Sequence, residues 1–174
     1  MAKVLLRLFA ILIAIAVVIA IIGSVLPRDY DFQTSRQIDA DPGVVFSMIN
    51  ELPKWQQWSN WNPERVADLK IEYGDTKSGE GAVQSWTDPR GSGKLWITRS
   101  LENKVIEYQL KFSGFPEMAN VIELEPNNSG TLVTWSSKGR LPQGPFYGYF
   151  ASLFPTRMKF QYEHNLGKLA EILE

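Results

Sequence analysis

Residues 155–174, PTRMKFQYEHNLGKLAEILE, place the strongest constraint on what this chain can fold into. Pro155 can open a helix, because the first turn does not use the N–H that proline lacks and the ring already sets a helical φ. Beyond it Met158, Tyr162, Leu166, Leu169 and Leu173 recur at three- and four-residue steps, which makes one stripe on a 3.6-residue helix. His164, Lys168, Glu171 and Glu174 fall on the other side. Such a helix must bury its stripe, and the middle of the chain offers strand patterns almost exclusively. The expected partner is a curved sheet, and the expected class is α+β.

The opposite end is unlike the rest. Leu8 to Pro27, LFAILIAIAVVIAIIGSVLP, carries no charge over twenty residues. At about 1.5 Å per residue, a helix of that length matches a hydrocarbon core about 30 Å thick. Nine of the twenty are Ile or Val, which favour strand in water, but in lipid the backbone must bond to itself and helix prevails. The alternative is a cleaved signal peptide, which has a shorter apolar region of about 7–15 residues and a small-x-small site. A buried core helix would carry a polar face, and none is present. We therefore expect residues 1–27 to be an uncleaved transmembrane anchor, crossing with residues 8–27, and residues 28–174 to form one domain. Lys3 and Arg7 precede the span; Arg28 and Arg36 follow it. This slight bias favours a cytoplasmic N-terminus, with the domain on the extracytoplasmic side.

Composition removes several function classes. Taking Lys3 and Arg7 from the eighteen basic residues leaves sixteen against nineteen acidic, so the domain sits near −3. A general nucleic-acid binder would need a basic surface to displace counterions, so no nucleic-acid partner is expected. The chain has no cysteine and one histidine, which excludes thiolate nucleophiles, cysteine–zinc sites and histidine clusters. No metal site and no cofactor are expected.

Along the domain, Phe32 to Asp39 reads as a first strand. Asp41 and Pro42 supply an N-cap and first residue for a short helix over Gly43 to Asn50, with Val45, Phe46 and Ile49 inward. Pro53 opens a second short turn, followed at three-residue steps by Trp55, Trp58 and Trp61. These three are either core with a lid over one end of the sheet or aromatic walls at a pocket mouth. Strands follow over Val66 to Tyr73, Gly81 to Thr87, Lys94 to Leu101, Val105 to Phe112, Asn120 to Glu125 and Thr131 to Ser137. Gly79-Glu80-Gly81 and Gly91-Ser92-Gly93 read as hairpin turns. The clearest alternation is in Val105 to Phe112, where Ile106, Tyr108, Leu110 and Phe112 share one face. Leu141 to Phe154, LPQGPFYGYFASLF, is either a helix that starts near Pro145 and bends at Pro155, or an aromatic flap beside a cavity or a membrane surface.

Reactive constellations are thin. His164 lies opposite the buried stripe, and Glu107, Glu123 and Glu125 alternate away from the apolar face, so all four read as solvated. Arg99 differs. Leu95, Ile97, Arg99 and Leu101 alternate together, which predicts Arg99 on the apolar side, where it needs an anionic partner or a route to water.

The stretch DPGVVFSMINELPKWQQWSNW resembles the opening signature of the SRPBCC superfamily, in its polyketide cyclase/dehydrase-like, START-like branch. The matching positions are Pro42, Val45, Phe46, Leu52, Trp55 and Trp58, and GEGAVQSW, GKLWIT, VIEYQLKF, GTLVTWSSKG and NLGKLAEILE continue the likeness. The resemblance implies a helix-grip fold, with seven antiparallel strands curved around a long C-terminal helix. It also implies a deep apolar cavity suited to lipids, sterols, polyketides or other hydrophobic small molecules. For that cavity we draw a ligand-binding wall from the large side chains Trp86, Tyr108, Phe112, Trp135, Met158 and Tyr162, with Arg99 as a polar group. Trp96 is out of phase with its neighbours and is omitted. The expected function is a membrane-anchored binding protein for a hydrophobic small molecule or lipid. A cyclase- or dehydrase-type enzyme is the alternative, and an interaction module with a filled core is a third.

Overall fold

A computed structural model describes residues 2–174. The chain begins with α1 (Ala2–Val25), and three residues then lead into β1 (Asp29–Ile38). Next come α2 (Pro42–Asn50), a single 3₁₀ turn (Leu52–Lys54) and the short α3 (Trp55–Trp58). Six strands follow: β2 (Lys70–Tyr73), β3 (Val83–Asp88), β4 (Gly91–Leu101), β5 (Val105–Phe112), β6 (Met118–Asn127) and β7 (Gly130–Arg140). The long α4 (Tyr147–Leu173) closes the chain. The sheet order is β1-β7-β6-β5-β4-β3-β2, with neighbours antiparallel throughout. This is the expected α+β helix-grip arrangement: an open meander whose first strand returns to pair with its last.

Alternation sets which face is dry. In β5 the buried residues are Ile106, Tyr108 and Leu110; in β7 Val133, Trp135 and Ser137 point the same way. α4 covers that face, burying Tyr162, Asn165, Leu166, Leu169 and Ala170. Its partners on β1 are aromatic: Phe154 meets Tyr30 and Phe32 edge-on at 5.5 and 6.0 Å, and Tyr162 meets Phe32 at 5.4 Å.

Four sequence expectations need correction. The final helix does not begin at Pro155 but runs through it from Tyr147, which agrees with the reading of a helix starting near Pro145 and overturns the flap. Pro155 leaves the Ala151 carbonyl without its usual N–H donor, which a helix tolerates where tertiary contacts hold it on both sides. Gly91-Ser92-Gly93 is strand and not turn. The turn is tighter, because one oxygen of Asp88 accepts the backbone N–H groups of Arg90 (2.7 Å) and Gly91 (3.1 Å), closing it over Pro89 and Arg90. Val66 to Leu69 is not strand either; it turns, with Leu69 N–H donating to the Val66 carbonyl and Asp68 at φ +58°.

The fourth correction concerns Arg99. A bulge between Ile97 and Arg99 inserts an extra residue and reverses the alternation of β4. Ile97 remains buried, but Ser100 takes the next inward position and donates to Asn50 Oδ1 at 2.8 Å. Arg99 emerges on the wet face, where Nη1 meets Glu107 Oε1 at 2.8 Å. Its anionic partner is therefore a surface glutamate of the neighbouring strand.

Candidate functional site

The space between sheet and α4 divides into a packed half and a hollow half. In the packed half, α3 lowers Trp55 and Trp58 onto Trp135, with ring centroids 6.0 and 5.9 Å apart. Trp55 also meets Tyr108 edge-on at 5.4 Å, and Trp135 stacks on Tyr162 at 4.0 Å with the planes 13° apart. The indole N–H groups of these three tryptophans are satisfied. Trp55 donates to the Ile49 carbonyl, Trp58 to the Met48 carbonyl and Trp135 to Tyr108 Oη at 3.0 Å. Here the tryptophans are core.

The hollow half is a cavity of about 610 Å³ at the end of the sheet where β1 begins. Its walls come from five places. The loop after α3 supplies Asn60, Trp61, Arg65, Val66 and Leu69; the β3–β4 hairpin supplies Trp86, Asp88, Arg90, Gly91 and Ser92. Phe112, Ser113, Phe115, Pro116 and Met118 come from β5, β6 and their loop, and Leu141 from the end of the sheet. α4 completes the wall with Phe150, Phe154, Met158, Gln161, Tyr162 and Asn165. Aromatic rings line it in two runs. Trp61 lies 5.2 Å from Trp86, Trp86 5.5 Å from Phe112, Phe115 5.3 Å from Phe150, and Phe150 stacks on Phe154 at 5.0 Å.

Of the seven residues expected on the wall, Trp86, Phe112, Met158 and Tyr162 are there. Tyr108 and Trp135 lie behind it in the packed half, and Arg99 is outside on the wet face. The expected wall left out Trp61, offered as a pocket-mouth residue in one of two readings, Phe150 and Phe154, placed in a helix or flap beside a cavity, and Phe115, for which no reading was made. The density of aromatics in LPQGPFYGYFASLF was the available signal for Phe150 and Phe154, but with helix and flap both open it could not be aimed.

The polar side chains on the wall are Asn60, Arg65, Asp88, Arg90, Ser92, Ser113, Gln161, Tyr162 and Asn165. Tyr162 Oη donates to Asn120 Oδ1 at 2.5 Å, and Asn120 Nδ2 donates to the Met118 carbonyl at 2.8 Å. Asn165 is buried, and its Oδ1 has no hydrogen-bond partner among the described residues. A buried amide left like this is costly unless something entering the cavity supplies a donor. Asp88 is the one carboxylate on the wall, and it is fully used. Besides closing its turn it accepts the Arg90 guanidinium at 2.8 Å, which holds its carboxyl below the usual carboxylate range. His164 is exposed and faces Arg65 at 3.5 Å, not the cavity. Among the described residues, no cluster of three or more His, Asp or Glu side chains is placed to hold a metal.

The buried phenols are donors rather than bases. Burial pushes Tyr108 well above the ordinary tyrosine value, and neighbouring Tyr162 adds to it. Burial likewise raises Tyr162. Both protons are held more tightly in the folded chain than in the unfolded one, so their contribution to stability is complete below the unfolded value near pH 10. It is lost as pH rises, at about 1.4 kcal/mol per pH unit for each group. Absorbance at 295 nm through an alkaline titration should therefore show these two tyrosines ionising only together with loss of the folded circular-dichroism signal. Ionisation of all six tyrosines in the still-folded chain would contradict the buried network.

Comparison with known proteins bears on the whole domain. A family model described as polyketide cyclase / dehydrase and lipid transport matches residues 30–174. No curated protein matches the sequence. Among solved structures, protein CV1439 of Chromobacterium violaceum superposes with a TM-score of 0.62 at 14% identity, over 83% of this chain and 96% of that one. Protein SA2116 of Staphylococcus aureus, of unknown function, gives 0.65 at 10% identity, over 84% and 94%. A subunit of the Aha1 dimer of Colwellia psychrerythraea gives 0.61 at 15% identity, over 83% and 96%. At these identities the likeness concerns the fold.

Proposed function

The chain belongs to the polyketide cyclase / dehydrase and lipid transport family, and from that premise we propose that it is a membrane-anchored binding protein for a hydrophobic small molecule or lipid. The observation that carries this reading is the aromatic-lined cavity of about 610 Å³ between sheet and α4. Its size is that of small-molecule pockets, and most of the surface it exposes is apolar, with polar side chains between the aromatic rings to fix orientation. Burying about 300 Å² of ligand hydrocarbon at about 25 cal/mol per Å² yields about 7 kcal/mol, from which the cost of immobilising the ligand is subtracted. Asn165 and Gln161 are the polar groups of α4 best placed to orient a ligand.

Two features support binding over catalysis. The one carboxylate on the wall is held by Arg90 and two backbone N–H groups, and the phenols are pushed away from neutral pH. A cyclase or dehydrase needs a group free to move a proton at the substrate. The anchor in this reading is α1, the described helix long and apolar enough to cross a membrane.

The test is native mass spectrometry of the full chain released from detergent, followed by extraction and identification of what it carries. One bound amphiphile per chain is the expected result. A chain that is repeatedly empty, and takes up no fluorescent fatty acid, would remove the binding reading and leave the fold.

A further inference from the structure

Resting on that anchored, ligand-binding reading, we propose that the cavity opens onto the bilayer itself. Phe115, Phe146 and Leu153 enter the interface, and ligand passes between leaflet and cavity without crossing water.

The connection is the first reason. Only Leu26, Pro27 and Arg28 separate α1 from β1, a reach of about 10 Å at full extension. A domain on so short a lead cannot stand away from the surface that α1 crosses. The end nearest that surface is set by topology. β1 leaves α1 at Asp29, which pairs with Arg140 at the end of β7, and the β3–β4 and β5–β6 loops lie at the same end. Both loops line the cavity, and so does Leu141 just after β7.

Second, α1 and α4 are clasped. Gly23 and Gly148 lie at their crossing, where a Cβ on Gly23 would run into the Pro145 carbonyl and one on Gly148 would come within 2.5 Å of the Gly23 oxygen. Tyr149 Oη donates to the Ile19 carbonyl at 2.9 Å, about two turns inside the end of the apolar run. The start of α4 therefore lies beside the last turns of the run.

Third, three large apolar side chains at this end are exposed. Phe146 is 72% exposed, Leu153 73% and Phe115 43%. From Leu141 to Tyr162 the only charges are Arg157 and Lys159, and the first acid is Glu163, a balance suited to anionic headgroups. The exposed Phe115 contacts Phe150, which stacks on Phe154 inside, so an apolar path runs from surface to cavity.

The absence of cysteine makes the test direct. Single variants Phe115→Cys, Phe146→Cys and Leu153→Cys of the full chain, bimane-labelled in nanodiscs of phosphatidylcholine and phosphatidylglycerol, are exposed to nitroxide-bearing lipids. Ile15→Cys in α1 and Asn128→Cys in the far β6–β7 turn serve as references. Quenching at all three positions comparable to that at Ile15, with none at Asn128, is the expected result. Quenching at Ile15 alone overturns the docked mouth and spares the anchor; none at Ile15 removes the anchor and this proposal with it. The route is read from the double variant Phe146→Asp/Leu153→Asp, neither residue lining the cavity. Loading with fluorescent fatty acid from the nanodisc should slow at least tenfold, while loading from cyclodextrin in water stays as in the parent. Equal loading from both sources overturns the route, and a parent that loads from neither source removes the binding reading instead.

Discussion

Trp135→Ala should lower the unfolding free energy by about 3–5 kcal/mol, among the largest losses a single core truncation produces. The indole is fully buried at the meeting point of three elements: β7 carries it, Trp55 and Trp58 pack on its edges, and Tyr162 of α4 stacks on its face. Alanine removes that stack, worth about 0.5–1.5 kcal/mol beyond its area, and leaves a void that the facing rings are too rigid to fill. It also strips Tyr108 Oη of the donor it has at 3.0 Å. Trp135→Phe keeps a ring against Tyr162 and loses chiefly the N–H bond, so its cost should be less than half as large. Denaturant unfolding of the full chain in detergent, followed by circular dichroism, measures both. The pair also separates packing from ligand contact. A Trp135→Ala chain as stable as the parent but unable to take up fatty acid would put this residue back on the cavity wall.

That possibility was how the sequence alone placed it, and the reason is physical. Alternation in β5 and β7 correctly aims Tyr108 and Trp135 inward, but it does not say what meets them there. Trp55 and Trp58 fill that half of the interior from a helix of four residues whose docking depends on the completed sheet. Arg99 shows the opposite limit. Its phase with Leu95 and Ile97 is real, yet one inserted residue turns it out, and no pattern of period two carries the position of a bulge. The fold was easier to read. The stripe from Met158 to Leu173, the alternation of Val105 to Phe112 and the Pro-Val-Phe helix with spaced tryptophans each constrain local structure, and together they agree on one architecture. The mouth of the cavity stayed hidden because Gly144, Pro145, Gly148 and Pro155 argue against the helix that carries Phe150 and Phe154. Two of the departures from local rule, Gly148 and Pro145, lie where α4 meets α1.

Gly93→Ala is the second large effect, and it reaches the cavity through a neighbour. Gly93 faces Trp86 on one side and Phe112 on the other in the strand register, and the Trp86 ring lies over its bare Cα. A methyl there would come within 2.6 Å of the indole Cε2 and Cη2, closer than any real packing. The ring cannot slide sideways, since Trp61 and Phe112 hold it at 5.2 and 5.5 Å. The free direction is into the cavity, so the substitution should both strain the sheet and fill ligand space. Overpacking of this kind costs about 1–3 kcal/mol, and ligand affinity should fall at least tenfold. Trp86→Phe, with a smaller ring, should absorb the added methyl. In a double-mutant cycle the two changes should then couple by about 0.5–3 kcal/mol in the compensating direction. Denaturant unfolding of the four chains supplies the cycle, and fatty-acid titration of the same samples supplies the affinities. Strict additivity, with uptake unchanged in Gly93→Ala, would show that the indole does not rest on this glycine, and the aromatic wall would have to be redrawn around a different support.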